Sequence, residues 1–339
     1  MKKVIVLMAI ALSLSLGVVT AVSAAGGKDA VPAQGGKDAI KIGVAFESLE
    51  SQFWVANHAA IIAKAKELGV EVVEAIADSD QNKQNQQLEN FIAMKVKGVI
   101  GVSRDNAGIV PAIKKLNQAG IPFVANNRPA AEGADVALTV ISDSYSMAKK
   151  EAQWLIDYAK ANNKKLKILE FIGDLKDLNA VKRQKGFEEI INANKDWASI
   201  VNTVPTEWKP ELAMAGTINL LSGGSDINCI FTPSDYLLPA IVSGLQQVDK
   251  WKKYNEPGHI ILATFDGAED AMDYIRDGYV DVCMVQDAIW TGEQCVEALV
   301  KLAKGQTLPS KEIIDSGFIV SRDNFATESP KAWGYVGRK

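Results

Sequence analysis

Three cysteines in 339 residues leave little for covalent cross-linking. Cys229, Cys283 and Cys295 are an odd set with no CxxC spacing, so at least one thiol has no partner within the chain and no disulfide framework is implied. Histidine is scarcer still: His58 and His259 are the only two, too few for a histidine-rich zinc site. Positive charge is in deficit, with 37 Lys and Arg against 41 Asp and Glu. Phosphate binding needs clustered Lys and Arg, so nucleic acid is not an expected partner. There is no GxSxG elbow, no GxGxxG after the first strand and no metal cluster. No catalytic residue, metal or cofactor is expected, and the chain does not read as an enzyme.

What is present begins with a processing signal. Lys2 and Lys3 precede an apolar block at residues 4–19, followed by small residues with Val22 and Ala24 in the recognition positions. The block is shorter than the roughly 20 residues of a membrane span. Residues 1–24 therefore read as a secretory signal, and the mature chain as periplasmic. Residues 25–39 carry Gly-Gly-Lys-Asp-Ala twice, a flexible tether with nothing to bury.

About 300 residues remain, a length that favours two domains. From Ile40 the segments alternate. A short apolar run, a helical pattern and a stopping glycine (Gly69, Gly98, Gly120) recur three times. The alternation continues through ADVALTVIS, LKILEFIG, residues 200–204, INCIFT, HIILATF and YVDVCMV, giving nine or ten strands. This is an α/β pattern, a parallel sheet covered by helices on both faces, and too many strands for one such sheet.

In open parallel sheets, ligands sit beyond the carboxyl ends of the strands. The residues there form a consistent set. The first strand yields Glu47, Phe53 and Trp54, and the third Ser103-Arg104-Asp105. The fourth yields Asn127 and Arg128. Later strands give residues 174–183 with Asn179 and Arg183, then Trp208, Ser234-Asp235, Asp266 and Gln286. Carboxylates, amides and guanidinium forks can each engage neighbouring hydroxyls, while aromatic faces suit the C–H face of a sugar ring. Signs are mixed, which favours a neutral polyol over a strongly charged ligand. So many buried charges require mutual pairing or an occupied cleft.

Each residue also has a structural reading. Phe53 and Trp54 can start a helix and pack inward. Asp143 reads as a helix cap rather than a contact. Ser103 and Asp105 can simply start a helix, and Asp266-Gly267 can be a turn. Arg183 lies four residues beyond Asn179, so the two can face one way or form a surface pair. Asp78, Asp80, Asn82, Gln84 and Glu89 imitate an EF-hand loop, but Lys83 occupies the glycine position and helix initiation explains them better.

Taken together, VAFESLESQFW, DSDQNKQNQQLENFIAMKVKGVI, Asn127-Arg128, NAVKRQKGF, FTPSD and ATFDG resemble the periplasmic sugar-binding proteins of ABC importers, of the ribose- and galactose/glucose-binding type. The resemblance covers residues 40–325. It implies the type I periplasmic binding protein fold, two doubly wound parallel-sheet lobes joined by three crossovers near Asp143, Gln286 and Asp315. One lobe would be 40–142 plus 287–315, the other 143–286 plus 316–339. It further implies a solute-binding protein that captures a monosaccharide or polyol between its lobes and delivers it to an ABC permease. A chemosensory sugar receptor, with a chemoreceptor as partner, is the alternative, and a carbohydrate-active enzyme a more remote one. The protein is expected to be a monomer. Phe53, Trp54 and Trp208 would stack on the sugar, with Arg128, Arg183, Gln286, Asp235 and Asp266 bonding its hydroxyls. The chain departs from the pattern at Asn127, at Ser234 and at Glu47. Glu47 is expected to restore the carboxylate lost at Asn127, which argues against ribose and glucose themselves.

Overall fold

The computed structural model describes residues 40–335. The signal expected at 1–24 and the tether at 25–39 lie outside the described residues. The first strand, β1 (Lys41–Phe46), is buried on both sides from Ile42 onward, which is why it reads as an apolar run rather than an alternation. α1 (Gln52–Glu67) starts on Ser51, whose hydroxyl accepts the Trp54 amide. Then come β2 (Glu71–Ile76), α2 (Gln81–Ala93), β3 (Val99–Gly101), α3 (Val110–Gln118), β4 (Phe123–Asn126) and β5 (Leu138–Ser142). Asp80 caps α2 by accepting the Asn82 and Lys83 amides, which accounts for the EF-hand-like spacing.

Asp143 caps α4 (Ser144–Ala161), accepting the Ser146 amide. The chain continues through β6 (Leu166–Ile172), α5 (Leu178–Ala193), β7 (Ala198–Pro205), α6 (Pro210–Leu221) and β8 (Cys229–Phe231). A 3-10 turn, Asp235–Leu237, leads into α7 (Leu238–Gln247), then β9 (Ile261–Asp266), α8 (Glu269–Asp277), β10 (Val282–Val285) and α9 (Ala288–Ala303). Two short strands follow, β11 (Glu312–Asp315) and β12 (Phe318–Ser321). The described residues thus hold twelve strands, not nine or ten.

They form two six-stranded sheets, ordered β11-β5-β4-β3-β1-β2 and β12-β10-β9-β8-β6-β7. Setting aside the added edge strand, each sheet has the doubly wound order in which the second strand lies outside the first and the rest run the other way. Ligands bind at the switch in such sheets. Only β12 runs antiparallel, against β10. The chain passes between the sheets three times: from β5 to β6, from β10 to β11, and from β11 to β12. The expected two-lobe fold with three crossovers is the one observed.

Both faces of each sheet are buried. Phe46, Ile61 and Leu299 belong to a cluster on one face of the first sheet, and Phe91, Ile113 and Phe123 to one on the other. Phe171, Ile241 and Met272, then Leu155, Phe187 and Phe231, do the same for the second. Although α9 follows β10, it packs against α1 of the first lobe. The Asn57 amide donates to the Ala288 carbonyl (2.9 Å) and the Thr291 hydroxyl (3.0 Å). Gly292 permits that approach, since a Cβ there would lie 2.8 Å from the Asn57 carbonyl oxygen.

Candidate functional site

The carboxyl ends of the two sheets face one cavity of about 200 Å³. From the first lobe its lining includes Glu47, Phe53, Trp54, Arg104, Asn127 and Arg128, and from the second Asp177, Asn179, Arg183, Trp208, Ser234 and Asp266, with Gln286 at a crossover. Eleven of the fourteen residues singled out from the sequence are therefore brought together.

Three lie elsewhere. Ser103 is buried behind Arg128 and offers it only a backbone carbonyl (3.2 Å). Asp105 holds its own turn, accepting the amides of Ala107 and Gly108 (both 2.9 Å). Asp235 turns away from the cavity to accept the amides of Gly267 (2.8 Å) and Ala268 (2.7 Å). Its role is to fix the turn after β9, where Asp266 (φ 114°) and Gly267 (φ 91°) both have positive φ. The strand-end reading included Arg104 and Asp177 in its segments without choosing them as contacts, and it missed Glu50, Ser79, Glu207 and Tyr236, all on the cavity wall. Arg104 stood between the two residues chosen in its place, and Tyr236 directly follows Asp235.

Every basic side chain on the wall has an acidic partner. Arg128 lies 3.1 Å from Glu47 of its own lobe and 3.1 Å from Asp177 across the gap. Burial opposes its charge, but Asp177, Glu47 and Asp174 outweigh burial and raise its pKa. Arg104 reaches Asp174 of the second lobe at 2.9 Å. Arg183 donates to Asp266 (3.2 Å) and to the Pro233 carbonyl (2.6 Å), with its guanidinium 3.9 Å over the Phe265 ring. Lys209 pairs with Glu207 (2.8 Å).

The uncharged groups form a chain of bonds across the same gap. The Asn179 amide donates to Asn127 (2.9 Å), Asn127 to Gln286 (3.0 Å), and Gln286 to Asp266 (2.7 Å). Ser234 donates to the other oxygen of Asp266 (2.6 Å). Burial raises the Asp266 pKa, and the bonds from Arg183, Ser234 and Gln286 work against that rise. Asp235, also buried, is raised well above its ordinary value by that burial and by the neighbouring Asp266.

Phe53 and Trp54 combine both readings open to them. They sit in the first turn of α1, belong to the first lobe's core and still border the cavity. Trp208 lies against Gly173, where a Cβ would come within 2.3 Å of the ring. Its φ of 59° and that of Glu207, 52°, place both in the left-handed region that non-glycine residues enter at a cost of about 1–3 kcal/mol. Asn127 (φ 61°) and Ser79 (φ 62°) share that region and the same wall.

Further contacts join the lobes. The Gln52 carboxamide accepts the Glu269 amide (3.1 Å) and donates to Asp270 (3.0 Å) at the start of α8. The Tyr236 hydroxyl donates to Glu50 (3.0 Å). Burial, reinforced by Glu50, pushes the Tyr236 pKa up to about 12, so the hydroxyl keeps its proton.

A defining pattern described as a periplasmic binding protein domain matches residues 42–307. The chain belongs to the periplasmic binding protein family. Within it, the D-apiose import binding protein of Paraburkholderia graminis is 26% identical over 284 residues, covering 82% of this chain and 86% of that one. The ribose import binding protein of Bacillus subtilis is 25% identical over 265 residues, covering 78% and 82%. Among solved structures, a Bacillus halodurans ABC transporter solute-binding protein with bound myo-inositol superimposes with a TM-score of 0.78 at 23% identity, covering 87% of this chain and 99% of that one. A Mycobacterium smegmatis protein in complex with β-D-fucofuranose gives 0.79 at 20%, covering 86% and 94%. The two solved structures share the fold seen here, and the two sequence relatives are named as binding proteins.

Proposed function

We propose that the chain is an extracytoplasmic solute-binding protein that captures a neutral monosaccharide or related polyol between its lobes and delivers it to the permease of an ABC importer. The observation that carries this is the pairing of every basic side chain on the wall with an acid, in a cavity bordered by Phe53, Trp54 and Trp208. A wall whose cations are already matched gives no net attraction to an anionic ligand but keeps rigid donors and acceptors for hydroxyls. About 200 Å³ lies below the roughly 300–1,000 Å³ of drug-sized sites and suits one small ring. The names of the relatives, D-apiose and ribose import binding proteins, support a sugar as cargo.

On this reading the lobes are 40–142 plus 287–315 and 143–286 plus 316–339, working as a monomer released into the periplasm by the signal at 1–24. Glu47, Phe53, Trp54, Asn127, Arg128, Asn179, Arg183, Trp208, Ser234, Asp266 and Gln286 contact the ligand. The lining carboxylates hold arginines and amides rather than standing free for proton transfer, which favours binding over catalysis. A ligand that touches both lobes stabilises the closed arrangement preferentially.

The test is a thermal-shift screen over pentoses, hexoses, sugar alcohols and inositols. A matching sugar at a hundredfold excess over its dissociation constant adds about 2.7 kcal/mol of stability. A panel in which no member shifts the melting temperature, or release of reducing sugar from glycosides, overturns the reading.

A further inference from the structure

The cavity between the lobes has a neighbour. A second hollow of about 170 Å³ lies against it, also between the lobes. Glu50, Ser51, Phe53, Tyr236 and Asp266 border both spaces, so one layer of side chains separates them. The two halves of that layer differ in firmness. Phe53 is clamped edge-on by Trp54 (4.9 Å) and Trp333 (6.0 Å) and is 4% exposed. Opposite it, the partition is closed by the single bond from the Tyr236 hydroxyl to Glu50, and Glu50 is an exposed side chain on the loop before α1. A group leaving the first cavity therefore meets a movable barrier, not packed core.

The chemistry of the second hollow narrows what can enter. Phe53, the Tyr236 ring, Pro239 and Ala268 give it apolar walls. Its charged lining is acidic throughout, Glu50, Asp235, Asp266 and Asp270, with no Lys or Arg. Asp235 and Asp266 are already satisfied by backbone and side-chain donors. Such a space repels a phosphate or carboxylate and accepts a compact uncharged group.

Resting on the sugar-capture reading, we infer that this hollow is an annex for a substituent of the bound ring, so that the ligand class is an O-substituted sugar or cyclitol, an alkyl ether or glycoside, as well as the free polyol. The ring lies in the first cavity and the substituent passes between Phe53 and the Tyr236–Glu50 bond. Gln52, bridging to Asp270, closes the annex on its outer side.

The experiment is isothermal titration of the full mature chain with matched probes. These are D-ribose, L-arabinose, D-galactose, D-glucose and myo-inositol, each beside its methyl and phenyl glycosides or, for inositol, its methyl ethers. For the ring that binds, at least one O-substituted partner is expected within about threefold of the free polyol or tighter. A site walled on all sides loses about tenfold or more for each added carbon it cannot place. Tyr236→Phe, which removes only the hydroxyl that bonds Glu50, shifts preference toward the substituted partner, and uronic-acid counterparts fail to bind. Loss of more than tenfold for every substituted partner, with Tyr236→Phe affecting free and substituted forms alike, overturns the annex and leaves sugar capture standing. No binding by any probe overturns both.

Discussion

In the first lobe the arginines on the cavity wall, Arg104 and Arg128, reach across the gap to Asp174 and Asp177 of the second. In the second lobe Arg183 stays at home, bonded to Asp266 and stacked on Phe265, both from β9. The sheets share one strand order, so the difference lies in the loops and not in the scaffold. It teaches that the two walls have separate duties. The Arg183–Asp266 wall is complete whether or not the lobes meet, whereas the Arg128 wall gains its full set of counter-charges only when they do.

The largest expected effect separates these duties directly. Arg128→Ala leaves Glu47 and Asp177 buried without their cation, a loss of about 3–5 kcal/mol for a broken buried pair. Because one of those pairs spans the gap, the loss should appear as a rise of roughly a hundredfold or more in ligand dissociation constant. Arg183→Ala costs a similar amount but should lower the melting temperature of the unliganded protein as well. Calorimetry and titration on both variants decide the matter, and equal falls in unliganded stability would erase the contrast.

A pH titration tests the second lobe alone. Two of its buried acids, Glu151 and Glu170, stand in no ion pair among the described residues, whereas Asp177 and Asp266 are each held by an arginine. Glu151 is completely buried, and burial, reinforced by Asp235, pushes its carboxyl far upward. Burial likewise raises Glu170 to about 8, with Glu188 adding to it and the Thr203 hydroxyl opposing. An acid whose folded pKa lies above its unfolded one keeps its proton in the native state while the unfolded chain has lost it. Stability therefore falls as pH climbs from the ordinary glutamate range to about 8, by at most about 1.4 kcal/mol per pH unit from this group, and levels off above. Glu170→Gln should flatten part of that slope. Thermal melts from pH 5 to 9 with identical slopes in both proteins would show that Glu170 does not titrate there.

Smaller effects sharpen the picture of the aromatic wall. Trp208→Ala removes one of the two rings, with Tyr236, that the second lobe brings to the cavity and is expected to weaken binding by about 10- to 100-fold. Ala keeps the Cβ that makes the left-handed backbone at 208 costly, so the substitution releases no strain there. Glu47→Ala, which leaves Asp177 with Arg128, should cost less still, near tenfold. Unchanged affinity in titration would remove Glu47 from the site.

The doubly wound alternation was legible because eight of the first ten strands, all but the edge strands β2 and β7, are largely buried runs, and each of the ten except β4 leads into a helix. β11 and β12 were not, since each is only four residues long, Glu312 and Ile314 of β11 are exposed and no helix separates the two. Strand ends pointed to most of the wall for a topological reason, that parallel strands all deliver their next residues to the same side. What they could not supply was which residue of a polar triplet turns inward. In Ser103-Arg104-Asp105 the choice is made by the turn that Asp105 caps, and in Ser234-Asp235 by the demand of the Gly267 and Ala268 amides. Nor could the sequence reveal pairing across the gap, because Arg104 and Asp174 lie on different sheets and 70 positions apart.

One junction carries its own reporter. α8 begins at Ala268, which has no side-chain oxygen to receive the helix's first amides. Gln52 of the opposite lobe supplies that acceptor. A helix in one half of the protein is thus started by a side chain from the other, and separating the halves leaves its first turn exposed to water. The Glu269 amide should then exchange its hydrogen quickly in the parted molecule and slowly in the joined one, so a single backbone proton can clock the opening of the whole protein.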